Sequence, residues 1–232
     1  MAKVVLVGIH IGKSLAGDYS AALGGAPVRT FTLGGASGAY DEDTGLASRY
    51  PTLEGFLRAE VPEWATGDRL VLVAFSAGCW APRYWMKDPA SRALLGALVL
   101  LDGLHSGLAP DGGCKLATIG GVNDFAQEAN FHPEEKLLVV THTAIRVPYA
   151  STTQCAALLE RNAAGRGVHI LGFPGADAAA HNAQQREVGP QVLGDLVLPW
   201  LNGELSTGLG TAGKIALVAA GAAALYAVVR FV

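Results

Sequence analysis

The chain has 232 residues, of which 50% are hydrophobic and 16% charged, so it carries enough apolar side chains for one sizeable folded domain. Its formal net charge of -3 and the absence of any Lys/Arg-rich block exclude a typical nucleic-acid-binding surface. The three cysteines, Cys79, Cys114 and Cys155, show no CxxC spacing. We therefore expect reduced thiols, and neither a disulfide framework nor a zinc site.

The amino-terminal residues are more typical of a first β-strand than of an export signal. Met1-Ala2-Lys3 leads directly into the apolar run 4–9, which lacks the longer apolar region and the cleavage site of a signal peptide. The run is typical of a first β-strand. We expect a protein without a signal peptide that folds in the cytoplasm.

Apolar runs alternate with segments of helical periodicity along most of the chain. Strands are predicted at 4–9, 28–33, 70–74, 97–101, 137–141 and 168–173, and helices at 53–60, 77–87, 152–162 and 184–201. This alternation predicts the α/β class, with a mainly parallel central sheet covered by helices on both faces. Ligands of such sheets bind beyond the carboxyl ends of the strands, so we look for functional residues directly after each run.

The most specific motif is Ala74-Phe75-Ser76-Ala77-Gly78, which follows the strand 70–74 and precedes a helix. It resembles the G-x-S-x-G nucleophile elbow of the α/β-hydrolase superfamily, with alanine in the first glycine position. The resemblance covers about residues 3 to 202 and implies an α/β-hydrolase fold with Ser76 as nucleophile, followed along the chain by an acid and a histidine. A serine at this point could also serve only as a helix N-cap.

The resemblance implies a base in the loop after the last strand, where His181 lies, whereas His169 falls inside a predicted strand. The usual acid position after the penultimate strand is empty, because residues 137–159 contain no Asp or Glu. The predicted acid is therefore Asp102, at the end of the preceding strand, with Asp177 as the alternative. Asp102 could instead only open a turn with Gly103.

A tetrahedral intermediate needs donors for its oxyanion, and the resemblance suggests the backbone amides of Ala77 and Ile11. The interval 103–135 is long for a simple connection. We expect it to cover part of the site as a small cap.

The carboxyl-terminal segment differs in composition from the rest of the chain. Residues 203–211 are rich in glycine and small polar residues and are predicted to be a linker between the catalytic domain, 1–202, and a hydrophobic helix, 212–232. That helix approaches the length that spans a bilayer. It is a candidate membrane anchor, which would hold the protein at the cytoplasmic face of a membrane, or a surface for self-association.

These observations predict a serine hydrolase that cleaves a carboxylic ester or thioester through an acyl-enzyme on Ser76. The expected substrate is a small-molecule or lipid-like ester, and the chemistry requires no metal and no organic cofactor. The competing hypothesis is a catalytically silent scaffold recruited to a membrane or an assembly by its carboxyl-terminal helix. An acyltransferase or a peptidase with the same triad also remains open.

Overall fold

The computed structural model describes residues 3–33, 37–41, 43, 45–163 and 165–204. Within them, parallel strands form one sheet in the order β2-β1-β3-β4-β5-β6. The strands are β1 (Val4–Ile9), β2 (Val28–Phe31), β3 (Arg69–Phe75), β4 (Leu95–Leu101), β5 (Leu137–His142) and β6 (Val168–Gly172). Each predicted strand is present, and the sheet is parallel throughout.

Helices connect the strands and cover both faces of the sheet. They are α1 (Ala16–Ala22), α2 (Leu46–Arg49), α3 (Leu53–Glu60), α4 (Trp80–Trp85), α5 (Pro89–Leu94), α6 (Leu116–Phe131), α7 (Thr152–Ala163), α8 (Ala178–Ala183), α9 (Gly189–Val192) and α10 (Leu198–Leu201). Wider π-helical turns at Gln184–Val188 and Leu193–Val197 join the last three helices into one helical run. The predicted α/β class, with helices on both faces, is confirmed.

Side-chain alternation along the strands gives the sheet a core on each face. In β3, for example, Leu70 and Leu72 belong to the core beneath α3, α4, α6 and α7, whereas Val71 and Val73 belong to the core beneath α1 and the last helical run. Strands buried on both faces need continuous apolar sequences, which is why these runs were identifiable in the sequence.

About half of the interval 103–135 is the 16-residue helix α6, which packs into the core of one sheet face and is not a cap. Gly120 and Gly121 resemble a turn in the sequence but lie inside this helix. A Cβ atom on Gly121 would collide with the backbone of Met86 and Lys87. Glycine at this position therefore lets α6 approach the end of α4 closely.

The prediction of three reduced thiols is wrong for two of them. Cys114, before α6, forms a disulfide bond with Cys155 in the first turns of α7, with the Cα atoms 5.0 Å apart. Their separation of 41 residues gives no local motif, since only the packing of α6 beside α7 brings them together. Cys79 is a buried free cysteine. Disulfides persist mainly in oxidising compartments, so this pair does not fit the expected cytoplasmic location.

The last helix, α10, returns to the amino-terminal edge of the sheet. Arg69, the first residue of β3, donates a 2.9 Å hydrogen bond from Nη1 to the carbonyl of Leu201, and its guanidinium lies 4.6 Å from the ring centre of Trp200. Among residues 3–204, apart from the few undescribed positions, no helix is long and apolar enough to cross a membrane. The predicted helix 212–232 and all of the linker after Glu204 lie outside the described residues.

Candidate active site

Ser76 lies at a sharp turn where β3 ends and a short 3-10 helix, Ser76–Cys79, begins. Its φ of 51° is in the left-handed region, which non-glycine residues rarely adopt. Two glycines allow neighbouring backbone segments to pack closely around this turn. A Cβ atom on Gly78 would lie 2.7 Å from the carbonyl oxygen of Ile9, and one on Gly103 would collide with the carbonyl of Ser76. The sequence therefore places a half-buried serine on a tightly packed turn.

His181 contacts Ser76 from the helical run that follows β6. It is the fourth residue of α8, and its Nε2 is 2.8 Å from Ser76 Oγ. Its ring centre is 4.7 Å from that of Phe75, the last residue of β3. The side chain is only 18% exposed. The imidazole is thus held against the end of the strand that carries the serine.

Asp102 lies directly after β4 and is completely buried. Its Oδ2 is 2.8 Å from Nδ1 of His181. Thr143, in the loop after β5, binds both carboxylate oxygens: its amide donates to Oδ1 over 3.0 Å and its hydroxyl to Oδ2 over 2.6 Å. Like Ser76, Asp102 has a positive φ, 44°. The three side chains predicted to act together therefore form one continuous hydrogen-bonded chain.

The environment of Asp102 keeps its carboxylate ionised. Burial alone would raise its pKa, but the hydrogen bonds from His181 and Thr143 outweigh burial and hold the pKa below its ordinary value. An ionised carboxylate only accepts hydrogen bonds, so His181 must carry its proton on Nδ1. Nε2 is then the acceptor for the hydroxyl of Ser76. This is the tautomer that general-base chemistry at a serine requires.

The two predicted oxyanion donors flank the serine turn. Ala77 is the second residue of the 3-10 helix, and the first amides of a helix have no acceptor within it. Ile11 follows β1, and its carbonyl accepts a 2.7 Å hydrogen bond from the hydroxyl of Thr32. The side chain of Ile11 is fully buried. The contact of Gly78 with the end of β1 brings the two segments together, and the roles of both amides stay predictions.

Asp177, the alternative acid, has a different task. Its carboxylate accepts a 2.8 Å hydrogen bond from the amide of Ala180 and so caps α8, the helix that carries His181. Of the two acids proposed from the sequence, Asp102 is the one bonded to the imidazole. His142 lies at the end of β5, and its Nδ1 is 3.1 Å from the hydroxyl of Thr153.

Sequence reasoning did not identify Thr143 as part of the site. It follows β5, the position at which the resemblance led us to look for an acid, and it supports the acid of the neighbouring strand instead. Its carbonyl accepts a 2.8 Å hydrogen bond from Thr153 in α7, which fixes the loop. The cluster Thr141-His142-Thr143 after an apolar run was a polar signal, but a threonine in a loop has too many ordinary roles to be singled out.

One group of potential metal ligands occurs in the part of the chain that the structure describes. His132, Glu134 and Glu135 are exposed in the connection between α6 and β5, which lies at the amino-terminal edge of the sheet. Exposed carboxylates often cluster in this way without a metal, so the group carries no assignment. The chemistry that Ser76, His181 and Asp102 could perform needs no metal ion.

No protein-family model matches the chain, and no curated protein matches it. Among solved structures, a soluble variant of monoglyceride lipase from Saccharomyces cerevisiae matches with a TM-score of 0.49 and 13% identity over 90% of this chain and 89% of the other. A pyrethroid hydrolase from Sphingobium faniae JZ-2 matches with a TM-score of 0.46 and 10% identity over 87% and 98% of the two chains.

A thermophilic esterase from Thermogutta terrifontis is similar at a TM-score of 0.43 and 12% identity, over 89% of this chain and 92% of the other. At such values these similarities carry no argument about function.

Proposed function

We propose that this chain is a serine hydrolase that cleaves carboxylic esters or thioesters, with Ser76 as nucleophile, His181 as general base and acid, and Asp102 as the residue that orients His181. The observation that carries this proposal is the unbroken set of hydrogen bonds from Ser76 Oγ to His181 Nε2 and from His181 Nδ1 to Asp102 Oδ2, each 2.8 Å long. The lowered pKa of the buried Asp102 supports it, because an ionised carboxylate stabilises the imidazolium formed during catalysis.

In the first half of the reaction, Ser76 Oγ attacks the acyl carbon as its proton moves to Nε2 of His181. The carbonyl electron pair moves to oxygen, where the amides of Ala77 and Ile11 are proposed to stabilise the negative charge. When the intermediate collapses, the bond to the leaving alcohol or thiol breaks and the leaving group takes the proton from Nε2. The acyl group is then an ester of Ser76.

In the second half, water replaces the alcohol. His181 accepts a proton from the water as its oxygen attacks the acyl-enzyme, and it returns that proton to Ser76 Oγ when the acid leaves. Asp102 stays ionised throughout, because its role is to hold and stabilise the imidazolium rather than to take its proton.

The surroundings favour a substrate with an apolar part. Leu108 and Tyr149 are 51% and 44% exposed, and they lie on the loops that follow β4 and β5, the strands that end at Asp102 and Thr143. These loops are joined by backbone hydrogen bonds between Ser106 and Ala150. Exposed apolar side chains on these two loops suit a small-molecule or lipid-like ester, and a series of p-nitrophenyl esters of increasing acyl length tests this substrate class.

The nucleophile is tested with a fluorophosphonate probe and with p-nitrophenyl butyrate on the full-length chain. We expect Ser76 to be labelled, and Ser76→Ala to lose labelling and at least about 10⁴-fold of kcat. Ser151→Ala is the matched control, since Ser151 is a half-buried serine at the start of α7 whose hydroxyl bonds Gln154. Equal labelling of wild type and Ser76→Ala would refute the proposal.

The same assay separates the enzyme from the competing scaffold. A scaffold would show neither labelling nor turnover in the folded wild-type chain. We also propose that residues 1–202 are the catalytic unit, so a chain truncated after Gly208 should retain turnover that depends on Ser76. Loss of turnover in a folded truncated chain would instead give the carboxyl-terminal segment a part in the reaction.

A further inference from the structure

His10 shares an unusual backbone property with two residues of the proposed site. Among the non-glycine residues that the structure describes, those with positive φ are His10 (60°), Ser76 (51°) and Asp102 (44°). They follow β1, β3 and β4, which are neighbours in the sheet. Backbone strain of this kind persists where surrounding structure enforces it and is concentrated at functional sites. The shared property therefore groups His10 with Ser76 and Asp102.

The imidazole of His10 is fixed beside the site by contacts on several sides. Its ring stacks on Phe75 with the centres 5.8 Å apart and the planes 11° apart, and Phe75 in turn contacts His181. A Cβ atom on Gly78 would lie 2.6 Å from Cβ of His10, so the elbow packs directly against this residue. The ring is half-buried and close enough to His181 for the two charges to interact.

Tyr40 determines which nitrogen of His10 can face a substrate. The Tyr40 hydroxyl is 2.7 Å from Nδ1 of His10, 2.8 Å from the amide of Leu33, from which it accepts, and 3.2 Å from the carbonyl of Leu33. The hydroxyl has one proton and two acceptors within reach, Nδ1 of His10 and the more distant carbonyl of Leu33. When the proton goes to Nδ1, a neutral His10 carries its own proton on Nε2.

The protonation state of His10 agrees with this arrangement. Burial, followed by repulsion from His181, lowers the pKa of His10 below its ordinary value, so the ring is neutral at pH 7. A neutral imidazole with Nδ1 bonded to Tyr40 offers a single N–H donor. That donor belongs to a ring that packs against Phe75 and the serine elbow.

We propose that His10 is a substrate-contacting residue, which donates a hydrogen bond from Nε2 to an oxygen of the bound ester, with Tyr40 holding the ring in the donating tautomer. This inference rests on the proposed function, since it names a further residue of the same site. Like the proposed backbone donors, His10 would strengthen its hydrogen bond as charge develops on the substrate oxygen. It would do so without adding a positive charge beside His181.

Two substitutions of His10 give opposite predictions for a donor and for a packing residue. His10→Phe keeps a ring against Phe75 but removes the donor, whereas His10→Gln keeps an N–H donor of similar reach but removes the ring. For p-nitrophenyl butyrate we expect His10→Phe to lower kcat/KM by about 10- to 100-fold and His10→Gln by less than about 5-fold. His132→Phe, at an exposed position remote from the site, is the matched control.

The order of kcat/KM between His10→Phe and His10→Gln distinguishes a hydrogen-bond donor from a packing residue. If His10 only packs, Phe should be tolerated better than Gln, and a folded His10→Phe variant with wild-type kcat/KM would overturn the inference. If His10→Phe does not fold, Tyr40→Phe replaces it: loss of the hydroxyl should lower kcat by about 3- to 10-fold, and unchanged kcat would overturn the inference. Tyr50→Phe, whose hydroxyl bonds Glu60 away from the site, controls for the loss of a tyrosine hydroxyl.

The failure of the proposed function is distinguishable from the failure of this inference. Absence of Ser76-dependent turnover in the wild-type chain overturns both. Ser76-dependent turnover that is insensitive to His10→Phe overturns only the role of His10.

Discussion

Polar residues have different roles at the two ends of the parallel strands. We call the side where the strands end the carboxyl edge of the sheet, and the side where they begin the amino edge. At the carboxyl edge, Ser76 and Asp102 have strained backbone, and their side chains form a linear hydrogen-bonded chain with His181. At the amino edge, Arg92 binds Glu128 at 2.7 Å and the carbonyl of Met86 at 2.7 Å. The first arrangement fixes the orientation of a few reactive atoms, whereas the second satisfies a nearly buried charge.

Catalytic rate and folding stability should therefore depend on different edges of the sheet. Substitutions of the polar residues at the carboxyl edge should change the rate more than the free energy of unfolding. Substitutions at the amino edge should change stability alone.

Asp102→Asn should lower kcat by about 10⁴-fold while the chain stays folded. An amide at this position can donate to Nδ1 of His181, which would place the imidazole proton on Nε2 and abolish its function as a base. Asp177→Asn is the control, because asparagine caps a helix as well as aspartate and Asp177 bonds Ala180 rather than His181. Steady-state kinetics of both variants check the prediction. Similar losses in the two variants would contradict the assignment of the acid.

Removal of the disulfide bond should lower the free energy of unfolding by about 4 kcal/mol. Cys114 and Cys155 enclose a loop with a sequence separation of 41, and the estimate follows from the chain entropy that this loop regains in the unfolded state. Urea unfolding of Cys114→Ser/Cys155→Ser measures the loss. A reducing agent should destabilise the wild-type chain and leave the double variant unaffected. Equal midpoints for wild type and variant would show that the covalent link contributes nothing.

Arg92→Met should lower the free energy of unfolding by about 3 kcal/mol and leave kcat unchanged. The Arg92 side chain is 11% exposed, and its loss removes the charged donor to the carbonyl of Met86 and leaves Glu128 with the longer, 3.4 Å contact to Lys136. Arg58→Met is the control, since Arg58 and Glu54 form an exposed pair within α3 that should contribute less than about 1 kcal/mol. Urea unfolding and kinetics at 25 °C test both statements. A reduced kcat would break the proposed separation of the edges.

His105 should make the wild-type chain sensitive to acid. Burial is the main cause that lowers its pKa from 6.5 to about 4. The unfolded chain therefore takes up a proton at this residue first as the pH falls. The contribution of the neutral His105 ring to the free energy of unfolding is complete above pH 6.5 and is lost as the pH falls from 6.5 to about 4. The loss amounts to about 2 kcal/mol between pH 7.5 and pH 5.

The measurement compares urea unfolding of wild type and His105→Phe across this pH range. Phe cannot titrate and can keep the edge contact with Tyr149, whose ring centre lies 5.1 Å from that of His105. The free energy of unfolding of the variant, relative to that of wild type, should therefore rise by about 2 kcal/mol as the pH falls from 7.5 to 5. The same pH dependence of the free energy of unfolding in wild type and His105→Phe would contradict the prediction.

The sequence predicted the parts of the molecule that depend on local pattern. The four inner strands of the described sheet were identifiable because burial on both faces demands continuous apolar runs, as in 70–74 and 97–101. Helix α6 was missed because its two adjacent glycines resemble a turn, although Gly121 is required by the close approach of Met86. The disulfide was missed because its partners meet only through the packing of two helices.

The candidate site was predicted as far as chain order and residue type allow. Ser76, His181 and Asp102 were selected as the residues that follow strands or lie near the last helix, and they are within hydrogen-bond distance of one another. Thr143 was not selected, since its importance comes from both carboxylate contacts at once. The tautomer of His10 likewise depends on the position of Tyr40, from a different loop, which no local pattern encodes.

The return of α10 to the first residue of β3 has a practical consequence for handling the protein. Leu201 is bonded to Arg69, whereas Ser76 follows the other end of the same strand, about 20 Å away at the usual rise per residue. A fusion partner, an affinity tag or a solid support joined after Glu204 would therefore attach at the side of the domain opposite the serine. Immobilised in this orientation, the protein would present the entrance of its site to the solution.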